Sequence, residues 1–222
     1  MPFMKLTMVG LAVLLLSACA STAPDAARGA GFDGKGGMGI LAGSVSSDDA
    51  DNFFTQDSNL YFTSLTDPKA PVAHLTINDH CKGEKPDFTQ PCGKVFAFIL
   101  KAGQYRLDSW YVSAQNGGVL IKPQQWEGPT ITVQPGKVTY IGNIHMVYDN
   151  AIPGAGLDGW RAWPHVTDQH ERDMPILLQK VPPLKPGDVT TAVVELPPPS
   201  QMCTWQAGVF HLPPHIVCSD HD

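Results

Sequence analysis

The sequence predicts a mainly β fold, an antiparallel β-sandwich with one short helix towards the C-terminal side. Three observations predict it. Between Val95 and Ile144, short runs rich in β-branched and aromatic residues follow one another: VFAFIL, YRLDSWYVSA, VLIK, ITV and VTYIGNI. The joints KAGQ, QNGG, EGP and QPGK each carry a Gly, as turns demand. The spacing leaves no room for helices between these strands, which argues against a parallel sheet with helical crossovers.

Taken in order, the chain opens with an address. Lys5 precedes an apolar run from Leu6 to Leu16, too short to span a membrane as a stable helix. Residues 1–18 read as a signal peptide. The run ends in Leu16-Ser17-Ala18-Cys19, which resembles the bacterial lipobox. The resemblance implies cleavage before Cys19, a diacylglycerol on its sulfur and an acyl chain on its new amine. The alternative is an ordinary signal peptide with a chance Cys19. Three acyl chains anchor firmly, since each buried CH₂ contributes about 0.8 kcal/mol. Ala20, not Asp, follows the cysteine. By resemblance to lipoprotein sorting in Gram-negative bacteria, that implies the outer membrane, with the protein on its periplasmic face. The lipid on Cys19 is the only non-protein group expected, and no cofactor is.

The 222 residues carry 15 Lys and Arg against 21 Asp and Glu, a formal charge of −6. No basic cluster exists to displace counterions from a polyanion, which argues against a nucleic-acid partner. The expected partners are the membrane, through the lipid, and another envelope protein.

Residues 19–38 are rich in Gly and small polar residues and read as a lipidated, flexible tether. A phosphate loop is excluded because Lys35 is followed by Gly36-Gly37 and no strand precedes it. The sandwich domain is expected over 39–196. Its first strand is Gly39–Val45, followed by a polar loop from Ser46 to Gln56. Leu60–Leu65 and Ala73–Ile77 are strands, with Asp67-Pro68 and Ala70-Pro71 as breakers between them. His74, alone in its strand, reads as a structural residue.

Cys81 and Cys92 bracket a polar, proline-containing loop. An oxidising periplasm favours a disulfide there. In the loop-entropy model it contributes about 2–3 kcal/mol. A metal site on His80 and Cys81 is the alternative. Val95–Leu100 is apolar without a break, so it is a strand buried on both faces. Asn116-Gly117-Gly118 predicts a hairpin turn into Val119–Lys122. Strict alternation in Val138–Met146 puts Val138, Tyr140, Gly142, Ile144 and Met146 on one face. It puts Thr139, Ile141, Asn143 and His145 on the other.

Val147–Pro164 reads as a loop. Trp160, Arg161 and Trp163 make it a candidate binding loop, because Trp and Arg dominate interface hot spots. The alternative is that the tryptophans cap the core. Met174–Val181 is a short helix with Asp173 as its N-cap and Pro175 in its first turn. His170, Glu171 and Asp173 are either a cation site or a solvated helix start. Val189–Leu196 reads as a last strand of the domain.

Residues 197–222 form a Pro-rich spacer and a tail holding Cys203, Trp205, His211, His215, Cys218 and His221. Two thiols and three imidazoles suit Zn²⁺ or copper. Pro213-Pro214 prevents the helix that would set His211 and His215 on one face. A Cys203–Cys218 disulfide is therefore the expectation. A metal site on Cys203, His211, His215, Cys218 and His221 is the alternative. Four cysteines allow three pairings, and the local ones, each bracketing one loop, are favoured.

The core also carries Ala102-Gly103-Gln104-Tyr105, Pro135-Gly136-Lys137 and Tyr140-Ile141-Gly142, followed by a helix within Asp168–Val181. Over Gly39–Val181 this resembles small bacterial lipoproteins with a prealbumin-like or carboxypeptidase-regulatory-like β-sandwich. The resemblance implies an immunoglobulin-like or prealbumin-like architecture and brings no catalytic residue. No Gly-x-Ser-x-Gly or His-Glu-x-x-His pattern occurs. The function expected is that of a non-enzymatic envelope lipoprotein with a binding or structural role. The alternative is a periplasmic Zn- or Cu-binding protein that uses the tail.

Overall fold

The computed structural model describes residues 22–47, 56–78, 85–114, 119–123, 127–150, 160–196, 201–206 and 215–220. Cys19, His80, Cys81, the Asn116–Gly118 turn, His211 and His221 lie outside them, as do the signal segment and the three prolines at 197–199. Among the described residues the chain is mainly β. The first five strands are β1 (Met38–Ser47), β2 (Gln56–Ser64), β3 (Ala73–Asn78), β4 (Phe88–Thr89) and β5 (Cys92–Lys101). Then come β6 (Gly103–Ala114), β7 (Val119–Pro123), β8 (Thr130–Val133), β9 (Val138–Asn150) and β10 (Trp160–Thr167). After β10 follow α1 (His170–Lys180), β11 (Val189–Thr191), β12 (Gln201–Gln206) and β13 (His215–Asp220). No described helix is long and apolar enough to cross a membrane.

Two sheets result. The first has the order β10-β9-β1-β5-β4, with β11 beside β9. The second has the order β13-β12-β7-β6-β2-β3, with β8 beside β6. The pairing is not antiparallel throughout, as the sequence suggested: β9 runs parallel to both β1 and β11. The reason is topological. Between β1 and β9 the chain visits the second sheet twice, through β2–β3 and β6–β8, with β4 and β5 between, a detour long enough to return in the same direction.

The first sheet is buried on both faces. Leu41 and Val45 of β1, and Phe96, Phe98 and Leu100 of β5, join Leu60, Phe62, Leu107 and Trp110 of the second sheet in one apolar cluster. Ile40, Ala42, Val95, Ala97 and Ile99 point the other way, onto Met174 and Leu177 of α1 and Ala26. That is why VFAFIL is apolar at every position. Each large side chain buried here contributes about 1.5–3 kcal/mol.

A bulge in β9 overturns the strict alternation expected for Val138–Met146. β1 pairs Ala42 with Tyr140 but Ser44 with Asn143, so β9 holds one extra residue. Gly142 is there, at φ +100°, where a Cβ would sit 2.8 Å from Val166 Cγ1. Ile141 and Ile144 consequently share the inter-sheet core, while Tyr140 and Asn143 face the helix side.

The segment expected to be a free tether is docked from Thr22 onwards. Thr22 bridges Val72, and Asp25 bridges Phe98 antiparallel. Ala23 N donates to Val72 O at 2.9 Å, and Ile99 N donates to Pro24 O at 2.8 Å. Asp25 Oδ1 accepts from Ala27 N and Ala97 N, each at 2.9 Å, and caps a short 3₁₀ turn over Ala26–Arg28. Glycine content implies flexibility only where the backbone has no partner, and here the strand edges supply partners.

Three further expectations are corrected. Val147–Asn150 and Trp160–Pro164 are strand, not loop, because β10 pairs along the outer edge of β9. The helix begins at His170, and Asp173 lies in its first turn, fully buried, not at its N-cap. The last strand is shortened to Val189–Thr191, where it pairs with Val138–Tyr140.

Candidate functional site

Where α1 starts, it crosses the ends of β1 and β9, and a polar network fills the junction. Two period-two stripes supply it: Ser44 and Ser46 on β1, Asn143 and His145 on β9. The bulge at Gly142 brings Tyr140 to the same side. Asp173 of α1 sits at the centre with no exposed surface.

A buried carboxylate is tolerated only when it is fully hydrogen-bonded. Asp173 Oδ2 accepts from Ser44 Oγ at 2.6 Å and from Tyr140 Oη at 2.7 Å. Oδ1 accepts from Arg172 Nε at 2.8 Å. Burial, and then the Asp173 carboxylate, push the Tyr140 phenol well above its ordinary range. Arg172 Nη2 donates to Ser44 Oγ at 2.9 Å and to Asn143 Oδ1 at 3.1 Å. Ser44 Oγ also lies 2.8 Å from Asn143 Oδ1, but its single proton serves Asp173. Asn143 Nδ2 donates to Ser46 Oγ at 3.0 Å. Ser46 Oγ lies 2.9 Å from His145 Nδ1. The Arg172 guanidinium also lies 3.6 Å over the Phe88 ring, a cation–π contact that ties α1 to β4.

This network floors an open cleft of about 590 Å³. Thr89, Gln90, Pro91 and Cys92 form one wall, from β4 into β5. Asn143 and His145 of β9 and His165 and Thr167 of β10 form the other. Gln169 and Arg172 close the end at the start of α1. His145 and His165 face each other directly across the β9–β10 pair. No carboxylate is among these lining residues.

The residues picked from the sequence fall elsewhere, apart from Cys92 and Asp173. Cys92 is disulfide-bonded and stands on the cleft wall. Its expected partner, Cys81, is outside the described residues. Trp163 packs against the inter-sheet core, as the capping alternative held. Trp160 and Arg161 pair with Asn150 and Asp149 at the other end of β10. Cys203 stands opposite Cys218 in the β12–β13 pair, and His215 opposite Gln206. His170 lies edge-on to Tyr140, with ring centroids 5.6 Å apart. Asp173 turns inward to the network, so the His170–Glu171–Asp173 cation site does not form. Among the described residues, no three His, Cys, Asp or Glu side chains are grouped to hold a metal ion.

Arg172, His145, His165, Asn143, Ser44 and Ser46 were not singled out from the sequence. A signal exists in hindsight: Ser44/Ser46 and Asn143/His145 are polar at alternate positions in otherwise apolar strands.

No protein-family model matches the chain, and no curated protein matches it. A solved structure of a leucine-rich repeat protein from Bacteroides thetaiotaomicron matches 49% of the chain at 18% identity, with a TM-score of 0.26. The match spans 14% of that protein's length. A likeness of this degree carries no argument about fold or function.

Proposed function

We propose that this chain is a lipid-anchored envelope protein whose β-sandwich domain binds a small ligand in the cleft and does not catalyse. The carrying observation is that the cleft is preformed: its Arg172, Asn143 and His145 side chains are already held, Arg172 by Asp173 and Asn143, and Asn143 and His145 by Ser46. Fixed donors on rigid strands favour recognition without reorganisation. The hydroxyl–imidazole pair beside the cleft, Ser46 and His145, does not support hydrolysis. Ser46 has no exposed surface, so its oxygen is out of a substrate's reach.

The proposed anchor fits this reading. With Cys19 acylated, only Ala20 and Ser21 would separate the lipid from the docked Thr22. The antiparallel bridge of Asp25 to Phe98 directs Thr22 towards the Lys101 end of β5. The cleft stands at the Cys92 end, about 30 Å away at the rise of a strand. The domain would thus be held close to the outer membrane, with its cleft turned towards the periplasm. The opposed register of Cys203 and Cys218 supports a cross-strand disulfide over a metal site. We assign the Cys92 disulfide to Cys81.

The test has two parts. Expressed with its leader in a Gram-negative host, the protein should incorporate labelled palmitate and sediment with the outer membrane, and Cys19→Ala should abolish both. In a thermal-shift screen of small envelope metabolites, some compound should raise the melting temperature of the wild type but not of His165→Ala. Failure of the first part removes the anchor. No compound shifting the wild type at millimolar concentration removes the binding reading.

A further inference from the structure

We propose that the cleft is an oxyanion site, taking the carboxylate or phosphate group of a soluble small molecule on Arg172, His145 and His165. The proposal rests on the binding reading above and gives the ligand its chemistry.

Charge is the first argument. Arg172 is a permanent cation, and no carboxylate is among the described residues that line the cleft. Asp173, which compensates Arg172, is fully buried behind it and takes its proton donors from Ser44 and Tyr140 as well. Arg172 uses Nε and Nη2 within the network, while Nη1 has no partner among the described residues. A guanidinium held by two of its nitrogens and stacked on Phe88 keeps one donor corner for a ligand at little further ordering cost.

Geometry is the second. His145 and His165 sit directly across from each other on β9 and β10, and both line the cleft with Arg172. His145 engages Ser46 through Nδ1 at 2.9 Å, which fixes the orientation of its ring on the cleft wall. The start of α1 adds no open donor at His170 N, since Asp168 Oδ1 accepts from it at 2.9 Å. The opposite reading, a cation held between two imidazoles, is opposed by the guanidinium beside them and by the missing carboxylate.

Size and position complete the assignment. A cleft of about 590 Å³ exceeds a bare anion and suits a small metabolite. The remainder of such a ligand would lie against the hydroxyls of Thr89 and Thr167. Because the cleft is at the end away from the proposed anchor, a soluble ligand fits better than a headgroup of the supporting membrane.

The experiment is titration calorimetry of the full chain in non-ionic detergent. The probes are inorganic phosphate, succinate, neutral methyl glucoside and zinc chloride. Phosphate or succinate should bind, and methyl glucoside should not. His165→Ala, an exposed position that leaves the buried network alone, should weaken anion binding about tenfold without moving the urea midpoint. Arg172→Lys should weaken it at least as much. No anion binding up to about 10 mM overturns the proposal. So does anion binding that neither substitution alters, or zinc binding tighter than either anion. If a neutral compound from the thermal screen binds while both anions fail, the oxyanion assignment falls alone. If nothing binds, the cleft reading falls with it.

Discussion

Replacing Asp173 with Asn tests whether the network at the start of α1 holds the helix to the first sheet. The change keeps the shape and removes the charge. Three donors converge on this carboxylate, from Ser44, Tyr140 and Arg172. An amide offers one acceptor oxygen and an NH₂ group, so at least one of the three donors would meet another donor. A buried donor left unsatisfied costs about 1–3 kcal/mol. Removing one partner of a buried ion pair costs about 3–5 kcal/mol when the other charge stays buried. Arg172 keeps 23% of its side-chain surface exposed, so water recovers part of that second term. The expected loss is about 3 kcal/mol, between the two limits. Tyr140→Phe removes one donor and leaves Asp173 two, so it should cost only about 1–1.5 kcal/mol. Urea unfolding under non-reducing conditions, with m-values compared, measures both. Asp173→Asn within about 0.5 kcal/mol of wild type, or Tyr140→Phe costing as much as Asp173→Asn, would refute the network's role.

Gly142→Ala should be damaging at this buried position. Its φ of +100° and the 2.8 Å approach to Val166 Cγ1 together predict a loss of about 2–4 kcal/mol, read by the same unfolding assay. A near-neutral result would mean that the bulge is not strained there. Burial lowers the pKa of His74 from its model-peptide value of 6.5. The folded state thus prefers the neutral ring, and its contribution is complete above pH 6.5 and lost as pH falls through the folded value. Urea midpoints followed from pH 7.5 downward should show a loss that His74→Asn removes; the same slope in both proteins would contradict it. Asp25 is the opposite case, since burial raises its pKa from 3.8 despite two backbone donors. Its stabilising contribution is complete below pH 3.8 and lost as pH rises through the folded value. Asp25→Asn keeps an acceptor for Ala27 N and Ala97 N. At pH 7 it should be neutral or stabilising by thermal melt, whereas Asp25→Ala should destabilise by about 1–2 kcal/mol.

The sheet that carries the site was legible in the sequence, and the site was not, for one physical reason. Burial on both faces writes itself as an unbroken apolar run, and VFAFIL says so directly. Polar groups that satisfy one another inside a protein leave no such mark, because each is unremarkable until its partner is known. Ser46 resembles the start of a loop, and Asp173 resembles an N-cap because solvated aspartates favour that place. The glycine-rich start resembles a tether because its docking uses backbone groups alone. The bulge at Gly142 hid most. Without it, period-two alternation would keep Tyr140 beneath α1 but turn Asn143 and His145 to the inter-sheet core. Arg172 would lose one of its three acceptors and the cleft one of its two imidazoles. A single glycine at φ +100° thus decides whether β9 presents an apolar or a polar face to the helix. The chemistry of the cleft follows from a backbone irregularity that no count of residue types reveals.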